Sequence, residues 1–230
     1  MRSAESTAVT REKPEMEILQ AIAESLERGD HERVRRLTRQ ALEGGTPAGQ
    51  ILHGALIAGM NVASGRFRRH EIFLPDVLLA AKAMYAGLEL LKPLLGQENV
   101  SSLGKVVLGT VRGDLHDIGK NLVGVMLTGA GFEVIDLGHD VVSERFVDTA
   151  LAENASIIGM SALLTTTMPR MREVVELLKQ RNLPGRIRTI IGGAPVSAEF
   201  AREIGADAYG YDAANAVVRV SSLLGIRVSG

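Results

Sequence analysis

The second half of the chain alternates short apolar runs with helical patterns, and this alternation restricts the fold more than any other feature. Five strand-like runs are predicted, at residues 106–111, 134–137, 157–160, 189–191 and 206–211. Five helical stretches follow them in turn, at residues 118–130, 143–154, 168–181, 197–204 and 213–224. Strands that alternate with helices in this way predict an α/β fold, with a parallel sheet covered by helices on both faces.

The first half of the chain has no strand pattern and is predicted to form four amphipathic helices. Pro14 suits the first turn of the first helix, and Asp30 can cap a second helix that ends before Gly44. Two more helices are predicted at residues 47–64 and 75–95. Short connections between such helices predict a small four-helix bundle.

The domain boundaries follow from these two patterns. Residues 1–14 are polar and predict a disordered tail, and residues 15–96 form the helical bundle. Residues 97–104 are polar and bounded by glycine, which is typical of a linker. The α/β domain then covers residues 105–230.

A histidine between two acids follows the first predicted strand, in the pattern Asp114-x-His116-x-x-Gly119. Neutral imidazole can ligate a metal through one nitrogen while a carboxylate holds its other N–H. Ser161 and Gly192-Gly193 also follow strands directly. Because ligands of parallel sheets bind beyond the carboxyl ends of the strands, we expect these three elements to converge at one edge.

Composition excludes several classes of function. The chain has no cysteine, which rules out disulfides, thiolate zinc sites and cysteine-ligated iron–sulfur clusters. The 26 basic and 27 acidic residues give a net charge of −1, which argues against nucleic acid or an anionic membrane surface as a partner. There is no apolar run long enough for a membrane span and no signal-peptide pattern, so a cytoplasmic location is expected.

Three other ligand sites of α/β proteins fit the sequence poorly. Gly113 and Gly119-Lys120 resemble a P-loop, but the spacing is one residue too long and Asn121 stands where Ser or Thr would bind magnesium. A Gly-x-Gly-x-x-Gly dinucleotide fingerprint is absent after the first strand. A phosphoacceptor domain would need a lysine after a late strand, where this chain has Gly192-Gly193.

A conventional zinc site is also disfavoured, because His116 has no second histidine at ligand spacing. The other four histidines lie elsewhere in the sequence, at His31, His53, His70 and His139. His116 with Asp114 and Asp117 could hold a hard cation. One imidazole is also enough where a macrocycle supplies the remaining ligands of the metal.

The combination of Asp114-x-His116-x-x-Gly119, Ser161-x-Leu163 and Gly192-Gly193 resembles the signature of cobalamin-binding domains. The helical half resembles the cap that precedes this domain, through Gly59-Met60-Asn61, Gly65-x-Phe67 and the segment 71–75. The whole is similar to the cap and cobalamin-binding region of methionine synthase, and more closely to corrinoid carrier proteins of methanogens and acetogens. The resemblance implies a four-helix cap followed by a five-stranded, flavodoxin- or Rossmann-like cobalamin-binding domain.

The resemblance also implies roles for individual residues. In the family, the benzimidazole of the cofactor leaves cobalt, its tail is buried in the domain, and a histidine, here His116, becomes the lower axial ligand. Asp114 would accept the other imidazole N–H, and Thr167 would extend this relay, where the family often has serine. The implied cofactor is cobalamin, as methylcobalamin or a related corrinoid, in the base-off, His-on form.

The remaining implied contacts fall into groups. Gly113, Leu115, Asp117 and Gly119 belong to the loop under the corrin ring, and Ser161, Leu163, Thr165 and Ala213 to the slot for the tail. Gly192 and Gly193 would leave room for that tail. Phe67 and Leu74 would shield the upper face of cobalt, whereas His53 departs from the glutamate of methionine synthase.

The function implied by the resemblance is a methyl shuttle. Cobalt would take a methyl group from a substrate held by one methyltransferase and give it to the thiol or tetrahydrofolate acceptor of a second. A reductive activation protein would be a further partner, and the linker would let the cap move aside. Two alternatives are a cobalamin-dependent sensor and the small subunit of an adenosylcobalamin mutase, and the methyl donor stays open among methylamines, betaine, methanol and aryl ethers.

Overall fold

A computed structural model describes residues 3–95, 98 and 102–226, with side chains from residue 15 onward. The chain divides into two compact units, of which the first ends at residue 101 and also includes residues 129–131, and the second holds the rest from residue 102 onward. Half of the linker predicted at 97–104 lies outside the described residues, as does the end of the chain from residue 227. None of the described helices is long and apolar enough to cross a membrane.

The described part of the N-terminal unit is helical throughout. Its helices are α1 (Ser3–Glu27), α2 (His31–Glu43), a continuous rod of α3 (Ala48–Ile51), a π-helical stretch (Leu52–Ile57) and α4 (Ala58–Arg68), and finally α5 (Leu74–Leu95). The core between them is aliphatic: a Cβ added at Gly87 would lie 2.8 Å from Leu56 and 3.2 Å from Val34. Asp30 caps α2 as predicted, since its Oδ1 accepts the backbone N–H of Arg33 at 3.0 Å.

The helical half differs from the sequence prediction in two places. Helix α1 starts at Ser3, within the stretch 1–14 predicted as a disordered tail, so Pro14 does not open it. Ala4, Glu5 and Ala8 are good helix formers, and this local propensity favours helix in a polar stretch. The π-helical stretch was not foreseen either, because a 3.6-residue apolar period does not reveal one wider turn.

The C-terminal unit has the predicted α/β architecture. The described strands are β1 (Lys105–Thr110), β2 (Glu133–Asp136), β3 (Ile157–Ser161), β4 (Arg188–Gly192) and β5 (Ala208–Gly210). The helices that follow them in turn are α6 (Ile118–Gly129), α7 (Ser143–Ala152), α8 (Pro169–Gln180), α9 (Ala198–Ile204) and α10 (Ala213–Leu223). All strand pairs are parallel, in the order β2-β1-β3-β4-β5.

This strand order places the functional end of the sheet. The order is flavodoxin-like, and its direction reverses between β1 and β3, so the loops after these two strands diverge and leave a crevice. On one face, Val107, Ile158 and Ile191 pack with Phe146 of α7 and Met171 of α8 in a continuous hydrophobic core. That core fixes β1 and β3 side by side and therefore fixes where their loops emerge.

Candidate functional site

Asp114 and His116 lie in the loop that leaves β1. The Asp114 side chain is completely buried, whereas the His116 ring is 53% exposed. Nδ1 of His116 lies 2.8 Å from Oδ1 of Asp114, and the backbone N–H of His116 donates to the same oxygen at 3.1 Å. One carboxylate oxygen thus holds both the main chain and the ring of the histidine.

The second oxygen of Asp114 is bound by the loop that follows β3. Oδ2 accepts the backbone N–H groups of Leu163 at 2.7 Å and Leu164 at 3.1 Å. The Thr167 hydroxyl lies 2.8 Å from Oδ2 and also 2.8 Å from the carbonyl oxygen of Leu164. The structure therefore brings together the three members of the predicted relay, and the carboxylate joins the two loops at the crevice.

The environment of Asp114 keeps it ionised. Burial, the largest influence, raises the pKa of this carboxyl, but hydrogen bonds from the Leu163 N–H, the His116 ring, the Thr167 hydroxyl and the His116 N–H outweigh it. The net pKa lies well below the usual range of an aspartate. An acceptor-only carboxylate requires a proton on Nδ1 of His116, which leaves the Nε2 lone pair free on the exposed side of the ring.

Further contacts fix the shape of the loop. The Thr110 hydroxyl donates to the carbonyl oxygen of His116 at 3.2 Å, and the N–H of Val111 donates to the carbonyl oxygen of Ser161 at 3.0 Å. Gly113 has a φ of +82°, a left-handed conformation that favours glycine. The half-exposed imidazole therefore stands on a loop tied to both neighbouring strands.

Large apolar side chains are exposed in the same two loops. Leu115 is 66% exposed and Ile118 69%, and across the crevice Leu163 and Leu164 are 42% and 41% exposed. Clustered apolar exposure around one polar group is typical of a ligand site. Ile118 and Leu164 were not predicted as site residues, although they stand directly beside the motif positions Gly119 and Leu163.

Small residues form a row across the sheet at this edge. Thr110, Ser161, Gly192 and Gly210 pair in register through β1, β3, β4 and β5, on the face opposite the Val107 core. A Cβ added at Gly192 would lie 2.8 Å from the carbonyl oxygen of Gly210. The small residue at Gly210 lets α10 pack closely, since a Cβ added there would lie 3.1 Å from the Cβ of Ala216.

The second glycine has a structural reason of its own. Gly193 has a φ of +127°, and a Cβ there would lie 1.9 Å from the carbonyl oxygen of Ala162. The close approach of the loops after β3 and β4 therefore requires glycine whatever ligand binds. Room for a cofactor tail, the reason expected from the sequence, is not needed to explain it.

The other predicted positions are distributed between the two units. Near the crevice, Asp117 is half-buried, Gly119 and Thr165 are exposed, and Ala213 is buried at the start of α10. In the N-terminal unit, Phe67 and Leu74 are half-buried, and His53 is exposed in the π-helical stretch. Phe73 lies in the segment 71–75 that resembles the cap but had no predicted role, and it is 70% exposed directly before Leu74.

The arrangement suits a planar metal macrocycle. The described residues contain no group of three or more His, Asp or Glu that could hold a metal ion, and His116 offers one free nitrogen. A macrocycle fills the other positions of its own metal and presents a ring face, which the exposed leucines and Ile118 can contact. Fold and site together define an α/β ligand-binding protein of flavodoxin-like order with a carboxylate-held imidazole at its switch point.

Comparison with known families makes this class specific. A family model described as a B12 binding domain matches residues 104–218, and a second model with the same description matches residues 18–92. The chain belongs to the B12-binding corrinoid protein family, and each of its two units carries one of the two matches.

Relatives and solved structures agree with this assignment. The chain is 41% identical to a corrinoid protein of Desulfitobacterium hafniense over 91% of its own length and 99% of that protein. It is 42% identical to the dimethylamine corrinoid protein of Methanosarcina barkeri, over 90% and 98% of the two chains. A crystal structure of the methanol:cobalamin methyltransferase complex MtaBC from Methanosarcina barkeri matches with a TM-score of 0.83 and 31% identity, over 91% of this chain and 80% of that one.

Proposed function

We propose that this chain carries a methyl group on the cobalt of a bound corrinoid, from a substrate-specific methyltransferase to a second methyltransferase. The observation that carries the proposal is the half-exposed His116 ring, held through Nδ1 by buried Asp114 at an apolar edge. Support also comes from the dimethylamine corrinoid protein and the methanol:cobalamin methyltransferase complex among the similar proteins. These relatives do not favour a sensor or a mutase subunit.

The cofactor, when bound, supplies a cobalt centre that accepts and releases the methyl group. The work of the chain is to hold, tune and protect that centre. Nε2 of His116 would be the lower axial ligand in a base-off, His-on complex. Negative charge on Asp114 makes the imidazole a stronger donor, because the carboxylate stabilises positive charge that develops on the ring.

Thr167 acts on the charge of Asp114 through Oδ2, the carboxylate oxygen that does not contact His116. Its hydroxyl has two acceptors within 2.8 Å, Oδ2 of Asp114 and the carbonyl oxygen of Leu164, but only one proton. When the hydroxyl donates to the carboxylate, it withdraws negative charge from it, and when it donates to the carbonyl it does not. Because two oxygens 2.8 Å apart repel without a proton between them, the proton favours the carboxylate, and Thr167 thereby moderates the charge that Asp114 presents to His116.

Several finer expectations belong to this proposal. Phe67 and Leu74 of the cap, over residues 15–96, would shield the reactive face of the cofactor, and residues 97–104 would act as the hinge before the domain at 105–230. The chain would work in the cytoplasm with a reductive activation protein. The methyl donor would be set by the partner enzyme, because the donor binds there and not on this chain.

The test is to load wild-type protein and His116→Ala, both labelled with nitrogen-15 histidine, with cobalamin, and to record the EPR spectrum of the cobalt(II) form. A histidine ligand gives a nitrogen-15 doublet, whereas the benzimidazole of the cofactor gives a nitrogen-14 triplet. We expect the doublet in wild type and in the control His31→Ala, and its loss in His116→Ala.

The transfer itself is measured with purified methyltransferases for methylamines, methanol, betaine and aryl ethers. Methylation of the loaded wild-type chain by one of them, with much slower transfer in His116→Ala, is the expected result. A wild-type spectrum with only the benzimidazole triplet would refute the axial ligand. A loaded chain that accepts no methyl group from any of these enzymes would refute the shuttle.

A further inference from the structure

We propose that Asp140, in the loop between β2 and α7, is a positioning residue that sets the orientation of His116. Oδ1 of Asp140 accepts the backbone N–H of Gly113 at 2.7 Å. The backbone N–H of Asp140 donates to the carbonyl oxygen of Asp114 at 3.1 Å. Asp140 thus binds the main chain of two consecutive residues, Gly113 and Asp114. Asp114 is the residue whose carboxylate holds the histidine.

The backbone of Asp140 is unusual in a way that fits this role. Its φ is +54°, a left-handed conformation that costs a non-glycine residue energy and that aspartate tolerates better than most. The conformation lets the side chain and the N–H of the same residue reach Gly113 and Asp114 together. Glycine would adopt the same backbone more easily but would lack the carboxylate.

A second link holds the far end of the same segment. Lys120, two residues into α6, is 2% exposed, and its Nζ donates to both carboxylate oxygens of Asp136 at 2.5 and 2.6 Å and to Oδ1 of Asn121 at 2.6 Å. Oδ1 of Asp136 also accepts the N–H of Gly138 at 2.8 Å. All three ammonium protons are therefore used, and α6 is fixed to the end of β2.

The segment that carries His116 is therefore held at both ends, by Asp140 at Gly113 and Asp114 and by Asp136 at Lys120. Both partners belong to one neighbouring stretch of chain, residues 136–140. Imidazole and the benzimidazole of the cofactor compete for one coordination position, so the outcome depends on how well the imidazole is placed beforehand. An imidazole on a loop that samples many positions binds with an affinity reduced in proportion to the fraction of time it spends correctly placed. This inference rests on the proposed ligation by His116.

The experiment compares three variants. Asp140→Gly keeps the left-handed backbone and removes the acceptor, whereas Asp140→Asn keeps an acceptor oxygen at the same place. Asn182→Gly is the matched control, because Asn182 is also left-handed, with a φ of +55°, and is exposed after α8. Amide hydrogen exchange of residues 112–119 is measured in the cofactor-free protein, and the ratio of nitrogen-15 to nitrogen-14 coordination in the loaded one.

We expect Asp140→Gly to speed exchange in this segment about three- to tenfold, because it loses one partly exposed charge-assisted hydrogen bond. The ratio of histidine to benzimidazole coordination should fall by a similar factor. Asp140→Asn should recover most of both effects. Asn182→Gly should change neither.

The outcomes separate this inference from the function it rests on. Wild-type exchange and coordination in Asp140→Gly would overturn the role of Asp140, and so would an equal rise in exchange over the whole C-terminal unit, which is a general loss of stability. A wild-type protein without the histidine doublet would instead refute the ligation itself. The exchange data would then still decide whether Asp140 orders the loop.

Discussion

Replacement of Asp114 by asparagine tests whether one buried carboxylate holds the site together. Asparagine has nearly the same shape but presents one oxygen and one NH₂ group. The carboxylate now accepts bonds on both oxygens, from His116 on Oδ1 and from Leu163, Leu164 and Thr167 on Oδ2. In Asp114→Asn, one of these two groups of donors must face an N–H group.

The cost follows from these contacts. The position that Oδ2 occupies in wild type faces two backbone N–H donors at 2.7 and 3.1 Å. We therefore expect the amide oxygen of the asparagine to take that position and its NH₂ group to face His116. A buried N–H left without an acceptor costs about 1–3 kcal/mol, and a hydrogen bond to a charged group contributes about 1.5–3 kcal/mol. Because His116 is half exposed, water recovers part of this, and we expect a loss of about 2–4 kcal/mol in the free energy of unfolding.

The same substitution should change the tautomer of His116. An NH₂ group facing Nδ1 favours an unprotonated Nδ1, which moves the ring proton to Nε2 and blocks the atom that would bind cobalt. Loss of such an outer partner typically reduces metal affinity about 10–100-fold. We therefore expect the histidine signal in the EPR spectrum to fall sharply even where the variant is folded.

The pH dependence has a definite sign. The pKa of Asp114 is lower in the folded chain than its ordinary value, so its stabilisation is complete above the unfolded pKa of about 4 and is lost as the pH falls below it. The contribution of the Asp114 carboxylate to the difference in unfolding free energy between wild type and Asp114→Asn should be complete at pH 7 and shrink below about pH 4.

The assay is urea unfolding of the cofactor-free protein, followed by tyrosine fluorescence, because Tyr209 and Tyr211 lie in and after β5 of the C-terminal unit. For an m-value of about 2 kcal/mol/M, the midpoint should fall by about 1–2 M urea. The control is Asp148→Asn, which removes charge from an exposed ion pair with Arg181 and should change stability by less than about 1 kcal/mol. Equal midpoints for wild type and Asp114→Asn at pH 7 would refute the reasoning.

Two further pairs of substitutions test a close backbone approach and a buried ion pair near the site, by the same urea assay. Gly193→Ala should lower the free energy of unfolding by about 3 kcal/mol or more, because its Cβ would collide with a carbonyl oxygen 1.9 Å away. Gly185→Ala is the control: it has a φ of +85° with open space around it and should cost only about 1–2 kcal/mol. Similar losses for both would exclude the collision. Asp136→Asn should cost about 3 kcal/mol because it weakens the partner of a buried ammonium, and Lys120→Met should cost less, since the Asp136 side chain is 46% exposed to water. The reverse order would contradict this account of the ion pair.

Regular structure in this chain was largely predictable because it depends on local patterns. Strand β3 was predicted at residues 157–160 and is Ile157–Ser161, and α6 was predicted at 118–130 and is Ile118–Gly129. The flavodoxin-like parallel sheet is confirmed as well. Apolar period and turn residues within a short window carry this information. The polar N-terminal part of α1 and the π-helical turn at Leu52–Ile57 carry no such signal.

The candidate site was predictable by residue type but not by contact. The motif Asp114-x-His116 shows an imidazole beside a carboxylate, and the strand pattern places Ser161 and Gly192 at the same edge. Lys120 stands one residue past the motif glycine and suggested phosphate binding, yet in the structure it is buried against Asp136. Lys120 lies on α6 and its partner Asp136 lies 16 residues away at the end of β2, and no local pattern connects the two.

The α/β architecture, the helical N-terminal half and the histidine motif at a strand end can be read from the chain, because periodicity and turn chemistry act within a few residues. The groups that satisfy the buried carboxylate depend on contacts between distant segments. Its second oxygen is bound by the Leu163 and Leu164 amides, 49 and 50 residues further along the chain. Those bonds exist because β1 and β3 are neighbours in register, and that adjacency arises from the packing of the whole sheet.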